Sequence, residues 1–325
     1  MIYTPADLEK KINEAIEQLD FDRSPKSLFE PIGYILSLGG KRLRPILNYM
    51  ATNLFTDNLE KATDPAIGLE IFHNFSLLHD DLMDNASVRR GAKTVHTKWD
   101  ANTAILSGDA MLIDAYNCMM KVDTELLPRI LNVFNRTAMQ VCEGQQYDMD
   151  FETRLDVNES EYLEMIRLKT GVLVAASLKI GAIMGNASEE NADRLYDFGI
   201  NIGLAFQLKD DLLDVYGDPK EFGKNIGGDI LSNKKTFLLI KALENSNKEQ
   251  NATLKEWILA ETFDAEAKIN AVKEIYDDLN LSRLTNKLIQ KYYLAALDSL
   301  SEVDVLDERK HQLLNYTKKL MNRER

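Results

Sequence analysis

Apolar residues recur at three- and four-residue spacing through almost all of this 325-residue chain, and β-branched alternation bounded by turn residues is absent. That period builds helices and excludes a sheet-built core, because a strand returns to the same face every second residue. Only 16 glycines and 7 prolines punctuate the pattern, so connections are short. The spacing predicts helices near 4–20, 25–38, 42–55, 63–84, 98–120, 126–149, 159–185 and 189–216, with several more from 233 onward. Pro65 stands near a helix start, where a missing amide costs little, and Asp57-Asn58, Gly185-Asn186 and Gly217-Asp218-Pro219 mark connections. No low-complexity linker divides the chain. The expectation is an all-α fold, a single-domain bundle of roughly a dozen helices over residues 1–325.

Charge narrows the partners. With 39 basic against 52 acidic residues the net charge is −13, which repels a polyphosphate backbone and argues against nucleic acid. Cys118 and Cys142 offer neither a disulfide framework nor metal-ligand spacing, so a reducing compartment is expected. The Met1–Asp7 segment lacks a basic stretch followed by an apolar run, and no apolar run approaches the roughly 18 residues that span a bilayer. A cytoplasmic protein without a membrane span is the expectation.

The strongest internal signal is a repeated acidic cluster. Leu78-His79-Asp80-Asp81-Leu82-Met83-Asp84 is echoed 130 residues later by Leu208-Lys209-Asp210-Asp211-Leu212-Leu213-Asp214. Each reads Asp-Asp-x-x-Asp at the end of an apolar helix, which puts the first and last carboxylates one turn apart on one face. Like charges so placed repel, and a cation makes the arrangement tolerable. Acceptor-only oxygen ligands without His or Cys suit magnesium, which bridges one or two carboxylates to substrate phosphates. Neither cluster has the spacing of a calcium-binding EF-hand loop. Asp80 and Asp84, with Asp210, are the leading metal ligands. Asp277-Asp278 lacks a carboxylate one turn on and reads as a solvated face.

Basic residues form a second constellation. Gly39-Gly40-Lys41-Arg42-Leu43-Arg44-Pro45 places a flexible turn before a cationic helix start, where free amides and the helix dipole favour anions. It lacks the pattern of a P-loop. Arg89-Arg90-Gly91, Lys169-Thr170-Gly171, Gly223-Lys224 and Gly227-Gly228-Asp229 with Lys234 add cations beside glycines, a combination that suits close approach of a phosphate.

With these motifs in this order, and with Phe206-Gln207 ahead of the second cluster and Asn233-Lys234 beyond it, the chain resembles a trans-isoprenyl diphosphate synthase of the polyprenyl synthetase family. The resemblance implies an all-helical bundle around a central cavity, with the two clusters facing one another across its mouth. It implies a magnesium-dependent condensation of isopentenyl diphosphate with an allylic diphosphate. The allylic C–O bond ionises, metal and cationic side chains stabilise the leaving charge, and no protein nucleophile is required. The departing diphosphate is the favoured base. Carried over by position, Lys41, Arg44, His73 and Arg90 hold isopentenyl diphosphate. Arg89, Lys169, Thr170, Gln207, Lys224 and Lys234 hold the allylic diphosphate. Asp80, Asp84 and Asp210 bind metal, while Asp81, Asp211, Asp214 and Lys169 complete the catalytic set.

Product length follows from the same resemblance. Phe75, about 7.5 Å along the helix axis from Asp80, forms the floor of the cavity with the small Ser76 beside it, and the first cluster carries no insertion. That combination implies geranylgeranyl diphosphate, with farnesyl diphosphate or a longer polyprenyl diphosphate as alternatives. An ideal helical wheel does not aim Phe75 at the face of Asp80, and Phe72 or the Met111–Tyr116 stretch could provide the floor instead. A homodimer is implied, although no stripe in the sequence identifies its interface. Rival readings are a terpene cyclase, disfavoured by the second cluster and the Lys41–Arg44 run, a non-catalytic partner subunit, disfavoured by six intact aspartates, and an acidic helical scaffold.

Overall fold

In the computed structural model residues 2–217 and 226–322 are described. Helices form where the apolar period places them: α1 (Pro5–Glu17), α2 (Lys26–Ser37), α3 (Leu43–Phe55), α4 (Thr63–Met83), the short α5 (Val95–Lys98), α6 (Ala101–Met119), α7 (Leu127–Glu152), α8 (Glu159–Ile166), α9 (Val172–Met184) and α10 (Glu189–Tyr216). Beyond residue 226 come α11 (Gly228–Leu231), α12 (Phe237–Asn245), α13 (Lys248–Leu259), α14 (Ala265–Asp278), α15 (Leu281–Ser301) and α16 (Asp307–Met321). Their starts are chemically marked. Thr4 with Asp7, Asn158 with Glu161 and Asn247 with Gln250 form reciprocal caps that satisfy the first free amides.

Two features depart from the expected pattern. Val88–Arg89 and Ala92–Lys93 pair as a small antiparallel hairpin, turned by Arg90 and Gly91 at φ 53° and 76°. Both turn residues are left-handed, as a two-residue hairpin loop of matching twist requires, but two-residue strands are too short for alternation to show. The expected helix over 159–185 is interrupted by a π turn at Arg167–Gly171. A π turn inserts one residue without leaving the helical path, so apolar period alone does not reveal it.

The chain divides into two compact units. One comprises Met1–Thr137, Leu173–Tyr196 and Glu302–Leu314, the other Ala138–Val172, Asp197–Ser301 and Asn315–Arg325. In the first, α4 is buried along Ala66, Ile67, Leu69, Ile71, Phe72 and Leu78, which lie around its whole circumference, as befits a central helix. Close approach to α6 rests on small residues: a Cβ on Gly68 would sit 3.0 Å from Cys118 Cβ. On another side α3 bonds to α9, with Asn48 Nδ2 donating to Ser177 O (3.1 Å) and Thr52 Oγ1 to Gly181 O (2.9 Å).

In the second unit the apolar side of α10, including Ile202, Ala205, Leu208 and Leu212, is buried. Two glycines bring neighbouring helices onto the π turn: a Cβ on Gly203 would lie 2.6 Å from Gly171 Cα, and one on Gly144 would lie 2.3 Å from Lys169 N. Backbone cannot yield as a flexible side chain does. Gly144→Ala should therefore force α7 from the π turn and destabilise the protein by about 1–3 kcal/mol, read as a lower melting temperature; an unchanged melt would show that this contact is not close-packed.

Candidate active site

The first acidic cluster occupies the last turn of α4. Asp84 is its C-terminal cap and donates its N–H to Asp80 O at 2.9 Å. Asp84 is exposed, Asp80 half-buried and Asp81 buried. A buried carboxylate needs donors, and the hairpin provides them: Arg89 Nε lies 2.8 and 2.7 Å from the two Asp81 oxygens, while Arg89 Nη2 is 2.7 Å from Asp81 Oδ1 and 3.9 Å from Asp80. Burial still pushes the Asp81 pKa up, against the pull of Arg89. The two outer carboxylates of the cluster are therefore the accessible ones.

In the same unit, the turn from α2 into α3 carries the expected cations. Gly39, Gly40 and Arg42 take φ 73°, 127° and 46°. Arg42, which the sequence analysis assigned no role, is buried. Its guanidinium donates to Glu70 Oε1 (2.7 Å), Leu36 O (2.8 Å) and Asn13 Oδ1 (3.2 Å) and so clamps the turn. Arg90 reaches from the hairpin to donate to Gly39 O. Lys41 is exposed and Arg44 half-buried. Burial, reinforced by Arg90 and opposed by Glu70, lowers the Arg44 pKa to about 10, which leaves it charged at neutral pH. Among the described residues Glu70 and Asp81 are the buried carboxylates acting on these cations, fewer than the arginines Arg42, Arg44, Arg89 and Arg90.

His73 reports that excess. Burial first, then Arg44, Arg90, Arg89 and Arg42, hold its pKa well below the ordinary 6.5, so the imidazole is neutral. Below it on α4 an aromatic series begins: His79 and Phe75 meet edge to face at 4.9 Å, Phe75 and Phe72 at 5.5 Å, Phe72 and Phe134 at 5.3 Å, and Phe134 and Tyr116 at 4.9 Å. Phe75 thus packs between His79 and Phe72, each about one turn away on α4. Ser76 turns its hydroxyl back to His73 O at 2.9 Å.

The second unit holds the other set. Asp211 is buried and its pKa is pushed up to about 6 by burial and Asp229. It accepts from Tyr162 Oη (2.5 Å) and Gln207 Nε2 (2.9 Å). Asp214 Oδ2 accepts from the N–H of Asp229 (2.9 Å), which anchors the start of α11, and Lys234 lies 3.9 Å from Asp229. Asp210 is half-buried. The π turn displays Lys169, paired with Asp148 at 2.7 Å, and Thr170, whose hydroxyl donates to Gln207 Oε1 at 3.1 Å. Lys224 lies outside the described residues. Tyr162 and Asp148 escaped sequence reasoning; a Tyr seven residues before Lys169 carries no signal until α8 is seen packed on Asp211.

Among the described residues no three Asp, Glu, His or Cys side chains converge into a closed metal cage. An exposed and a half-buried carboxylate one turn apart, both acceptor-only, fit a hard cation that brings its own water and phosphate ligands, as magnesium does. Asp80 and Asp84 are that pair in the first unit.

Neutral His73 sets a pH dependence. Below about pH 6.5 the unfolded chain protonates this residue and the folded one does not, so stability falls as pH drops through that range. His73→Gln should flatten the loss of thermal stability between about pH 7 and 5; identical acid slopes for the two proteins would place the charge excess elsewhere.

Residues 25–278 match the polyprenyl synthetase family. The chain is 43% identical over 240 residues to a geranylgeranyl pyrophosphate synthase of Geoglobus acetivorans, covering 73% of this chain and 75% of that protein. It is 34% identical over 314 residues to the geranylgeranyl diphosphate synthase of Sulfolobus acidocaldarius, covering 95% and 94%. A crystal structure of a geranylgeranyl pyrophosphate synthase superposes with a TM-score of 0.94 at 44% identity over 99% of both chains. With a family match running through both acidic clusters and the cationic turn, the chain belongs to the polyprenyl synthetase family and is a trans-polyprenyl diphosphate synthase.

Proposed function

We propose that this enzyme condenses isopentenyl diphosphate with an allylic diphosphate in a magnesium-dependent reaction and releases geranylgeranyl diphosphate. The observation that carries the reading is the excess of positive charge around His73, where Arg42, Arg44, Arg89 and Arg90 all act, in a protein of net charge −13. In a protein so acidic, cations gathered this closely suit an anion. Its relatives named as geranylgeranyl diphosphate synthases support the product.

In this reading Lys41, Arg44, His73 and Arg90 hold isopentenyl diphosphate, and His73, neutral, donates one N–H without adding charge. Arg89, Lys169, Thr170, Gln207, Lys234 and Lys224 hold the allylic diphosphate. Asp80 and Asp84 of the first unit and Asp210 of the second are the metal ligands. When bound, magnesium supplies positive charge to the leaving diphosphate. The protein's part is then electrostatic and positional: donors fixed in advance stabilise the departing charge, and no side chain forms a covalent intermediate. Asp81, Asp211 and Asp214, all engaged by protein donors, hold the outer carboxylates in place. Phe75, with Phe72 and Phe134 behind it, limits the length of the growing chain.

We read residues 1–325 as one catalytic domain, since the family match runs through both units. A homodimer is supported by the outer face of α6, where Ile105, Leu106 and Ile113 lie 44%, 60% and 62% exposed. Among the described residues no helix is long and apolar enough to cross a membrane, and a cytoplasmic location is part of the proposal.

The direct test is incubation with isopentenyl diphosphate, magnesium and each allylic primer, followed by product chain length. A twenty-carbon product is expected, lost in excess chelator and reduced by orders of magnitude in Asp80→Ala or Asp210→Ala with little change in melting temperature. No condensation with any primer would overturn it in favour of a non-catalytic partner subunit, and full activity in chelator would overturn the magnesium dependence. A second test addresses the floor. Phe75→Ala opens apolar space at a contact where overpacking costs about 1–3 kcal/mol, so products longer than those of the parent enzyme are expected; an unchanged spectrum would move the stop to Phe72 or to the Met111–Tyr116 stretch.

A further inference from the structure

Tyr162 lies on α8, outside every motif described above, and is 1% exposed. A buried phenol needs a hydrogen-bond partner, and this one donates to Asp211 Oδ2 at 2.5 Å. The other Asp211 oxygen accepts from Gln207 Nε2 at 2.9 Å, and Gln207 Oε1 in turn accepts from the Thr170 hydroxyl at 3.1 Å. The series has one direction. Asp211 is acceptor-only, so it must receive an N–H from Gln207, and that fixes which end of the amide faces Thr170. With one Nε2–H given to Asp211, the second is the donor that an anionic ligand can take. A flipped amide would present its oxygen to that anion instead.

We propose that Tyr162 is a positioning residue of the allylic diphosphate subsite, acting through Asp211 to hold Gln207 with its N–H toward the diphosphate. The inference rests on the assignment of Gln207 and Thr170 to that subsite. Three observations support it. The phenol meets the carboxylate oxygen that Gln207 leaves, so both oxygens are engaged and the carboxylate plane is fixed. Thr170 belongs to the π turn Arg167–Gly171, so the same series ties the widened turn to the acidic cluster on α10. Neighbouring Lys169 is paired with Asp148, so Lys169 and Gln207 are each held by a buried or half-buried acceptor. A phenylalanine would fill the same space without the strut.

The test is steady-state kinetics of full-length Tyr162→Phe with geranyl diphosphate and isopentenyl diphosphate varied in turn. The KM for geranyl diphosphate should rise roughly tenfold, the loss carried by one hydrogen bond to a charged group. The KM for isopentenyl diphosphate and the product length should stay unchanged. In a Gln207→Ala background the same substitution should cost little more, because a residue that acts through another loses its effect when that other is gone. An equal cost in both backgrounds, or an equal rise in both KM values, would overturn the proposal. Should Tyr162→Phe turn over too slowly for kinetics, inorganic pyrophosphate binding to Tyr162→Phe in the same two backgrounds, measured by calorimetry, gives the same non-additivity or refutes it. A parent enzyme that condenses no prenyl diphosphates overturns the functional reading beneath; an active parent with an unaffected Tyr162→Phe overturns this inference alone.

Discussion

Two adjacent carboxylates at the end of an apolar helix cannot both stay charged and unpartnered, because removing a carboxylate from water costs several kcal/mol unless donors replace the solvent. The inner aspartate of each cluster is the buried one, and in each it accepts side-chain donors. Asp81 takes the guanidinium of Arg89; Asp211 takes the phenol of Tyr162 and the amide of Gln207. Burial raises both pKa values all the same. Identical sequence motifs thus reach one end by different chemistry, an ion pair in the first unit and neutral donors in the second.

Positive charge is managed by the opposite rule. Glu70 is the one carboxylate buried within the Arg42 and Arg44 turn, and it is spent on Arg42, which carries no expected ligand. Arg42 then clamps a backbone that passes through three left-handed residues in four, Gly39, Gly40 and Arg42. A non-glycine residue held at φ 46° is strained, and its three side-chain hydrogen bonds offset the strain. The neighbouring Arg44 keeps its charge at neutral pH, and burial first, then Arg44, Arg90, Arg89 and Arg42, keeps His73 neutral.

Small residues set how near the helices come. Gly108 receives the ring of His79, Gly144 and Gly203 receive the π turn, and Gly181 receives α3, each at a distance that an added Cβ would violate. These contacts hold the helices and the π turn in fixed positions, since close-packed backbone transmits displacement where a flexible side chain would absorb it.

Much of this was legible in the residue order, for a physical reason: helices are local, and a 3.6-residue period with capping residues declares where they begin and face. The outer aspartates, the Gly-Gly-Lys-Arg turn and the Lys169-Thr170 pair are likewise local patterns, and their chemistry follows from residue type and spacing. What the order could not declare depends on partners distant in sequence. Whether Asp81 or Asp80 is buried, that Arg42 serves Glu70 and not a ligand, and that Tyr162 lies 2.5 Å from an aspartate 49 residues later are facts of packing. The π turn belongs to the same class. Gly144 and Gly203 let two other helices approach it closely, and no period along α8 and α9 records that approach.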